Sequence, residues 1–338
     1  MSKHTHRPSS VFFLLATTTI TASTALASVT TTPTQDEALL AAALHPVGLT
    51  IDSVVVRNGM PGQFGTYANF NLPPVTIPDG IVLSSGDVTD MGPIPGATDP
   101  SYDPASPPFQ VNQQMFMDMP GNTPEFDNYG MKAGHIENFY GCYDVAALEV
   151  TFTLDTDSQV KFDFIFGSVE YPYWTGSFTD AFLVFLDGTE PQNQITFDAG
   201  GSAVQVGSSF AGLETTADQN TAFSNPHGVI HHLTTTTALL EAGTHTLIFE
   251  VGDVNDHILD SAAFITHLRT GTGTEGTDES NPCDEDLNND DVIDGADLGV
   301  LLANWGGDPA NHEADLNGDD EVDGADLGLL LAHWGPCS

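Results

Sequence analysis

The chain has 338 residues, of which 47 are Asp or Glu and only 6 are Lys or Arg, and its formal net charge at pH 7 is −41. A charge of this sign repels phosphate backbones, so nucleic acid is excluded as a partner. The length is sufficient for one large hydrophobic core with a small appended domain. The acidity has two interpretations that remain open together: a solubilising surface, and carboxylates held next to divalent cations.

Residues 1–27 have the order of a secretory signal peptide. Lys3 and Arg7 precede a short apolar run, Val11 to Leu15, and the sequence "ALA" at 25–27 supplies a cleavage site. A membrane anchor is the alternative, but the run is well below the ~20 apolar residues that span a bilayer. No other segment is long and apolar enough for a membrane span. We therefore expect a secreted protein that is extracellular or located at the cell surface.

Short strands are predicted through most of the following chain, after one helix in "TQDEALLAAAL" with Thr34 as candidate N-cap and Glu37 three residues later. "ALEVTFTL" and "VKFDFIF" alternate apolar and polar residues, and "AFLVFLDG", "HTLIFEVGD" and "AAFITHLRTG" continue the pattern. Runs of this kind, ended by Gly or Asp, are typical of a β-sandwich. We predict a mainly β, β-sandwich-like large domain over residues 28–270.

Two stretches interrupt the alternating pattern. Between residues 91 and 130 the chain is rich in Pro, Gly and Asp, which predicts a long surface excursion. "GTGTEGTDESNP", residues 271–282, contains no apolar side chain and is predicted to be a flexible acidic linker. It separates the large domain from a C-terminal domain over residues 283–338.

Acidic residues follow several predicted strands of the large domain. If these turns meet at one end of the sandwich, their carboxylates converge and need a cation or protons to be stable. The alternative is that they are solvated turn residues that set loop geometry. The candidates for this possible second metal or ligand site are Glu170, Asp180, Asp253, Asp256 and Asp260.

An enzyme is a further alternative, because two of these carboxylates would suit the acid and base of a glycoside hydrolase. Tyr171, Tyr173 and Trp174 could stack on a sugar or cover an edge of the core. His231-His232 lacks the Cys or H-E-x-x-H context of a zinc site. No nucleophile elbow or phosphate-binding glycine loop is present in the sequence, and we assign no catalytic residue.

Four sequence blocks of the large domain resemble one known family. They are "DGIVLSSGDV" at Asp79, "YDVAALEVTFTL" at Tyr143, "FIFGSVEYPYWTGSFTDAFLVFLDG" at Phe164 and "LIFEVGDVNDHILDSAAFI" at Leu247. Together they are similar to the choice-of-anchor L domain, a secreted bacterial module joined to various surface-attachment signals. The resemblance covers roughly residues 36–270. It implies an exported, β-rich domain and supplies no established activity.

The C-terminal domain contains one sequence twice. "DLNNDDVIDGADLGVLLANWG" begins at Asp286 and "DLNGDDEVDGADLGLLLAHWG" begins 29 residues later at Asp315, with 16 of 21 positions identical. Each copy supplies oxygen ligands at positions 1, 3, 5, 9 and 12 of a calcium loop and a backbone carbonyl at position 7. The predicted ligands to two Ca²⁺ ions are Asp286, Asn288, Asp290, Val292, Asp294 and Asp297 in the first loop, and Asp315, Asn317, Asp319, Glu321, Asp323 and Asp326 in the second.

An amphipathic helix is predicted after each loop. Leu298, Leu301, Leu302 and Trp305 have helical spacing, and the second copy repeats it at Leu327, Leu330, Leu331 and Trp334. Four apolar residues on one helix cannot bury themselves, so we expect the two helices to face each other. Because the loop carboxylates repel without an ion, folding of this domain should depend on calcium.

The duplicated loop, with each copy followed by one helix, resembles a bacterial type I dockerin over residues 286–334. The resemblance implies an EF-hand-like domain that binds Ca²⁺ and docks onto a cohesin-like module of another protein. Position 6 departs from the family pattern, since Asp291 and Asp320 replace the usual Gly, although Asp tolerates that conformation better than most residues. Positions 10 and 11, the family's recognition face, are Gly295, Ala296, Gly324 and Ala325.

The three cysteines predict one disulfide in an exported protein. Cys283 and Cys337 flank the repeats, and their disulfide would stabilise the domain by roughly 4 kcal/mol in the chain-entropy model. Cys142 is expected to be a small buried residue. The sequence thus predicts a secreted, non-catalytic surface or interaction protein with a calcium-dependent tail. The alternative is a carbohydrate-acting protein, a hydrolase or a carbohydrate-binding module, that meets polysaccharide.

Overall fold

The computed structural model describes most of the large domain and parts of the C-terminal domain. The described residues are 29–72, 75–77, 79–91, 122–132, 141–170, 180–198, 201–206, 223, 228–229, 232–255, 259–271, 273–279, 285, 287, 292–306, 314, 316 and 321–336.

Strands dominate the described residues of the large domain. In chain order they are β1 (Thr30–Pro33), β2 (Thr50–Asn58), β3 (Phe64–Ala68), β4 (Asn71–Leu72), β5 (Val75–Thr76), β6 (Asp79–Ser84), β7 (Cys142–Leu154), β8 (Val160–Ser168), β9 (Ala181–Leu186), β10 (Val204–Gln205), β11 (Gly228–Val229), β12 (Leu233–Thr236), β13 (Gly243–Val254), β14 (Ser261–Thr270) and β15 (Gly276–Glu279). The helices are α1 (Glu37–Ala43), α2 (Pro124–Lys132) and three short 3-10 helices at Pro61–Gln63, Val88–Asp90 and Pro191–Asn193.

Two antiparallel sheets form the large domain. The first sheet has eight strands in the order β1-β3-β6-β14-β8-β12-β15, with β11 also paired to β8. The second has five strands in the order β10-β9-β13-β7-β2. The small β4–β5 hairpin stands apart from both sheets. This architecture confirms the prediction of a mainly β, sandwich-like domain.

The main core contains the apolar faces that the alternating pattern predicted. Leu148, Val150, Phe152 and Leu154 of β7 join it, as do Val160, Phe162, Phe164 and Phe166 of β8. Phe162 meets Phe249 edge-on with ring centroids 5.3 Å apart, a geometry that adds about 0.5–1.5 kcal/mol to the effect of burial. The opposite face of the first sheet is covered as well, because Ile165 and Phe264 belong to a separate buried cluster.

The helices differ from the sequence prediction in two places. Helix α1 uses Asp36 as its N-cap, with the N–H of Leu39 donating to Asp36 Oδ1 at 3.1 Å, while Thr34 Oγ1 accepts from the N–H of Asp36 at 3.0 Å. Helix α2 lies at the end of the stretch predicted to be a surface excursion, and it buries Phe126 against the outer face of the second sheet. Residues 92–121 of that stretch lie outside the described residues.

The segment predicted to be a flexible linker continues the first sheet. Strand β15, inside residues 271–282, pairs with β12, and Thr277 lies opposite Thr235. The two threonine hydroxyls are 2.9 Å apart and both side chains are buried. Thr277 and its neighbours carry backbone groups and hydroxyls that complete a sheet edge, even though the segment lacks apolar side chains.

The C-terminal domain contains two helices of equal length and a short strand pair. They are α3 (Gly295–Ala303), α4 (Gly324–Ala332), β16 (Val292–Ile293) and β17 (Gly335–Pro336), and β16 pairs with β17. A small core joins the two copies through Leu287, Ile293, Leu301, Ala314, Val322 and Leu330.

The burial of the helical apolar stripe is narrower than predicted. Leu301 and Leu330 are fully buried at equivalent positions, and Leu298 and Leu327 pack against them. The remaining four apolar residues are about half exposed: Leu302 53%, Trp305 45%, Leu331 52% and Trp334 48%. Two nine-residue helices have one contact line between them, which is too narrow for a stripe that spans positions 0, 3, 4 and 7.

Candidate functional site

The two predicted calcium loops enter their helices through identical capping arrangements. In the first copy, the N–H of Ala296 donates to Asp294 Oδ1 at 2.7 Å, and the N–H of Asp294 donates to Asp297 Oδ2 at 2.7 Å. This is a reciprocal capping box, which satisfies two of the free N–H groups at a helix start.

The second copy repeats the same geometry. The N–H of Ala325 donates to Asp323 Oδ1 at 2.7 Å, and the N–H of Asp323 donates to Asp326 Oδ2 at 2.7 Å. The backbone angles of Asp294 and Asp323 agree within about two degrees (φ −143 and −141, ψ −156 and −154). The two copies therefore have the same local structure as well as the same sequence.

The carboxylates at loop position 12, Asp297 and Asp326, are both fully buried. A buried acidic side chain in a domain of this size needs hydrogen bonds, a proton or a cation to offset its desolvation. Val292, Asp294, Glu321 and Asp323 are also among the described residues of the two loops. Asp286, Asn288, Asp290, Asp315, Asn317 and Asp319 lie outside the described residues, as do Asp291, Asp320, Cys283 and Cys337. The expected disulfide stays a prediction, whereas Cys142 is buried as expected.

The expected recognition positions lie on the surface. Gly295, Ala296, Gly324 and Ala325 are exposed at the starts of the two helices. Leu302 and Leu331 are exposed near the ends of the same helices, and Trp305 and Trp334 are exposed just after those ends. We call these last four residues the apolar surface of the tail. Each repeat contributes two of its members, at equivalent positions.

The acidic candidates of the large domain lie at one end of the sandwich. Glu170 follows β8, Asp180 precedes β9, Asp253 is near the end of β13 and Asp260 precedes β14. Antiparallel pairing places these strand ends together, since Ser261 lies opposite Ser168 and Gly252 lies opposite Ala181. Asp256 and Tyr171, Tyr173 and Trp174 lie outside the described residues.

These four carboxyl groups are buried, which the sequence did not indicate. Glu170, Asp180 and Asp253 have no exposed surface, and Asp260 is 3% exposed. Burial raises the pKa of Asp253 well above its ordinary value, and the neighbouring charges of Asp180 and Asp260 raise it further. The alternative of solvated turn residues therefore does not describe these four side chains.

Hydrogen bonds connect this end of one sheet to the other. The hydroxyl of Ser261 donates to Asp180 Oδ2 at 2.7 Å, and the N–H of Val254 donates to Asp180 Oδ1 at 3.3 Å. Gln63 donates through Nε2 to the backbone carbonyl oxygens of Ser84, Ser85 and Asp144 at 2.7–3.1 Å. These bonds fix the ends of β6, β7, β9 and β14 around the buried carboxyl groups.

Asp144 belongs to the same region, and sequence reasoning missed it. It lies within β7, adopts a positive φ of 52° and is 5% exposed. Burial raises its pKa to about 7, and its charge adds to the pKa rise of Asp253. Only its place in "YDVAALEV", where an acid interrupts an apolar run, could have drawn attention to it.

Asp163 is a further buried acid, and it lies in an ion-pair network away from this site. Asp163 accepts from Arg269 Nη1 at 2.9 Å and contacts His267 Nδ1 at 3.0 Å. Burial alone would raise the pKa of Asp163, but Arg269 and His267 outweigh that effect and hold the pKa below its usual range. His232 is near Asp163 as well, and no zinc site is predicted there.

Glu250 and Glu125 are two buried acids that lie next to each other. Glu125 accepts from Arg57 Nη1 at 2.8 Å, and Glu250 Oε2 accepts from the hydroxyl of Thr123 at 3.0 Å. Burial raises the pKa of Glu250 well above its ordinary value, and the adjacent carboxylate of Glu125 raises it further. Glu250 is therefore expected to keep its proton in the folded protein.

The described residues contain neither a ready-made cluster of metal ligands nor a membrane-spanning helix. No three His, Cys, Asp or Glu side chains in the described part of the chain are already gathered as the ligands of a metal ion. None of the described helices has the length and apolar character needed to cross a membrane.

The fold defines a β-sandwich domain with a small repeated C-terminal domain. Residues 28–268 match the choice-of-anchor L domain family, and the chain belongs to that family. This membership indicates surface attachment and a cell-surface or extracellular location. The match ends before the repeated loops.

The other comparisons add little. No curated protein matches the chain. Among solved structures, a family 35 carbohydrate-binding module from an environmental isolate is 14% identical, with 43% of this chain and 82% of that chain covered and a TM-score of 0.18. A likeness at this TM-score carries no argument about fold or ligand.

Proposed function

We propose that the chain is an exported surface-attachment protein without a catalytic role, in which a β-sandwich domain is joined to a tail that binds two Ca²⁺ ions. The calcium-loaded tail engages a protein partner outside the cell. The observation that carries this proposal is the pair of buried carboxylates, Asp297 and Asp326, held in the same geometry at position 12 of two loops.

Calcium is the cation that suits these loops. Every predicted side-chain ligand is a carboxylate or an amide oxygen, and position 7 supplies a backbone carbonyl, which is the donor set that a hard cation prefers. An affinity of about 10⁻⁴ M or tighter would suit an extracellular domain. Calcium would offset the mutual repulsion of the loop carboxylates, so we expect the tail to lose helical structure when the ion is removed.

The apolar surface of the tail supports the choice of a protein partner. Leu302, Trp305, Leu331 and Trp334 are about half exposed, and Trp is strongly enriched among residues that dominate protein interfaces. Calcium binding would hold α3 and α4 in the arrangement that presents these four side chains. The partner is expected to be a cohesin-like or other extracellular protein.

The tail is tested with the full mature chain. Isothermal titration should give two Ca²⁺ ions per tail, and the double variant Asp297→Ala, Asp326→Ala should abolish both. The wild type should then capture a partner from the organism's own secreted proteins with calcium and lose it with a chelator. Capture that is equal in wild type and double variant would overturn the proposed role of the tail.

The hydrolase alternative is not favoured by the large domain. Four of the carboxylates from which its acid and base would come, Glu170, Asp180, Asp253 and Asp260, are at most 3% exposed. General acid and base groups need access to the glycosidic oxygen and to water. Release of reducing sugar from a polysaccharide array, lost in the variant Glu170→Gln, would revive this alternative.

A further inference from the structure

Three buried aspartates lie where the chain passes between the two sheets at one end of the sandwich. Asp180 is at the start of β9, Asp253 is near the end of β13 and Asp260 immediately precedes β14. All three are at least 97% buried. Asp180 is distant in sequence from Asp253 and Asp260, so the fold itself brings its charge close to theirs.

The hydrogen bonds at this site leave one carboxyl group uncompensated. Asp180 receives donors on both oxygens, from Ser261 Oγ and from the N–H of Val254. Neither oxygen of Asp253 receives a hydrogen bond of ordinary geometry from a described residue, although the Ser85 hydroxyl lies near enough to lower its pKa. A buried carboxylate in this position is strongly destabilising unless a positive charge or a proton offsets it.

The groups that shift the pKa of Asp253 include no basic side chain. Arg57 is paired with Glu125 and Glu149, and Arg269 is paired with Asp163. Lys161 lies on β8 opposite Thr236, at the far end of that strand from Ser168. The histidines described as ion-paired in the large domain, His45, His245 and His267, contact Asp79, Asp187 and Asp163.

We propose that Asp180, Asp253 and Asp260 bind one divalent cation inside the large domain, of the hard class that prefers oxygen ligands, such as Ca²⁺. This site is separate from the two calcium loops of the tail. Its donors are carboxylate oxygens with the Ser85 hydroxyl nearby, whereas a transition metal would favour His or Cys. Cys142, the buried thiol in this region, directs its Sγ to the carbonyl oxygen of Phe126 at 3.5 Å.

Burial raises the pKa of Asp253, the charges of Asp180 and Asp260 raise it further, and a bound cation would offset both effects. Because the described acidic side chains are not yet gathered as ion ligands, binding requires the three carboxylates to rotate toward one another. The surrounding backbone is held by the hydrogen bonds of Gln63 and Ser261, so the proposed movement is confined to the side chains. An ion held by groups this deeply buried should exchange slowly.

The test uses the full chain with the position-12 ligand of each tail loop removed by Asp297→Ala and Asp326→Ala. We call this double variant the parent chain. In this background the proposed tail sites are disabled, and the melting temperature of the large domain reports calcium binding there whether or not the tail still holds an ion. Equilibrium dialysis should give one Ca²⁺ per chain. The melting temperature of the large domain should rise by roughly 5–10 °C between chelator and calcium at about 100 times the Kd.

The matched variants are Asp253→Asn, Asp260→Asn and Asp155→Asn. The first two should abolish the bound ion and the calcium-dependent shift in melting temperature. Asp155 is an exposed carboxylate in the turn after β7, at the other end of that strand from the proposed site. Its variant should keep both the bound ion and the calcium-dependent shift in melting temperature. The measurement on the parent chain needs no large-domain substitution, so it decides the matter even if a variant fails to fold.

Two results would overturn the proposal. One is a parent chain that binds no calcium and melts at the same temperature with calcium and with chelator. The other is a variant Asp253→Asn that melts higher than the parent chain by the same amount with calcium and with chelator. That result would mean that protons, and not a cation, stabilise the cluster of carboxyl groups.

Discussion

The backbone N–H of Leu316 donates a hydrogen bond to Asp326 Oδ1 at 2.8 Å, which joins the second and twelfth positions of the second predicted calcium loop. The other oxygen of Asp326 accepts from the N–H of Asp323 at 2.7 Å. Two backbone donors therefore fix the orientation of the carboxylate at the helix start. Preorganisation of this kind strengthens a metal site, because the ligand loses little freedom when the ion binds.

The variant Asp326→Ala should remove one of the two proposed tail ions and leave the other. The loss of a buried anionic ligand should weaken calcium binding at the second loop on the order of 100-fold, within the range that ligand charge tunes in such loops. Calorimetric titration should then show one tight ion in the tail, and Asp297→Ala should give the mirror result. Asp155→Ala is the surface control and should leave the titration unchanged.

A different outcome would separate the two copies. If Asp326→Ala abolishes both tail ions, the second loop is needed for the whole domain to fold, and the copies are not independent sites. If it changes neither ion, Asp326 is a helix cap alone and the ligand assignment at position 12 is wrong.

The pKa of Glu250 predicts how stability changes with pH. Its folded-state pKa is raised above the ordinary 4.5 by burial and by Glu125. The folded protein thus keeps a proton that the unfolded chain releases, and stability from this group falls as pH rises above about 4.5. Glu250→Gln should remove this fall and stabilise the protein at pH 8 by about 1–3 kcal/mol, the usual cost of an unsatisfied buried group.

Denaturant unfolding from pH 4 to pH 8 measures this effect as the difference between variant and wild type. Glu190→Gln is the control, because Glu190 is exposed and its side chain does not cap the following 3-10 helix. A difference that stays constant with pH would show that Glu250 is ionised in the folded state or equally protonated in both states.

Asp163 predicts the opposite pH dependence. Its folded-state pKa is held below the ordinary 3.8 because Arg269 and His267 outweigh the effect of burial. Its contribution to stability is therefore complete above about pH 4 and is lost as pH falls through the folded-state pKa. Asp163→Asn should cost about 3–5 kcal/mol at pH 7, since it leaves Arg269 without its buried partner.

The same unfolding experiments test this prediction at acid pH. The stability difference between wild type and Asp163→Asn should be constant from pH 5 to pH 8 and should shrink below pH 4. The double variant Asp163→Asn, Arg269→Leu should recover part of the loss because it removes the unpaired charge as well. Equal stability of wild type and Asp163→Asn at pH 7 would contradict the pairing.

The alternating strands were predictable from sequence because each side chain's direction is set locally. Alternate residues share one face of each strand as the period of two requires: Leu148, Val150, Phe152 and Leu154 in β7, and Val160, Phe162, Phe164 and Phe166 in β8. The acidic turns were also found, because each directly follows or precedes such a strand. Their burial could not be found, because it depends on how the ends of β8, β9, β13 and β14 meet between the two sheets.

Asp144 and Trp305 show the limit of local patterns. In the sequence, Asp144 is one polar residue in a predicted strand. The hydrogen bond from Gln63 Nε2 to its carbonyl oxygen joins residues 81 positions apart, and its φ is positive, and neither feature is set by the local pattern. Trp305 has the spacing of a core residue, yet it is half exposed, because the contact between the two short helices is too narrow to cover the whole apolar stripe. Periodicity marks which residues share a face, but the size of the partner decides how much of that face is buried.

The strand β15 predicts where the large domain ends. Thr277 lies opposite Thr235, its hydroxyl is 2.9 Å from that of Thr235, and it also accepts from the N–H of Phe197 at 3.4 Å. A chain cut after Glu279 keeps this strand, whereas a chain cut after Glu275 loses it. The shorter chain should be less stable by about 1–3 kcal/mol, because it loses several buried hydrogen bonds. Thermal unfolding of the two truncated chains measures the difference, and equal melting temperatures would assign residues 276–279 to a linker after all.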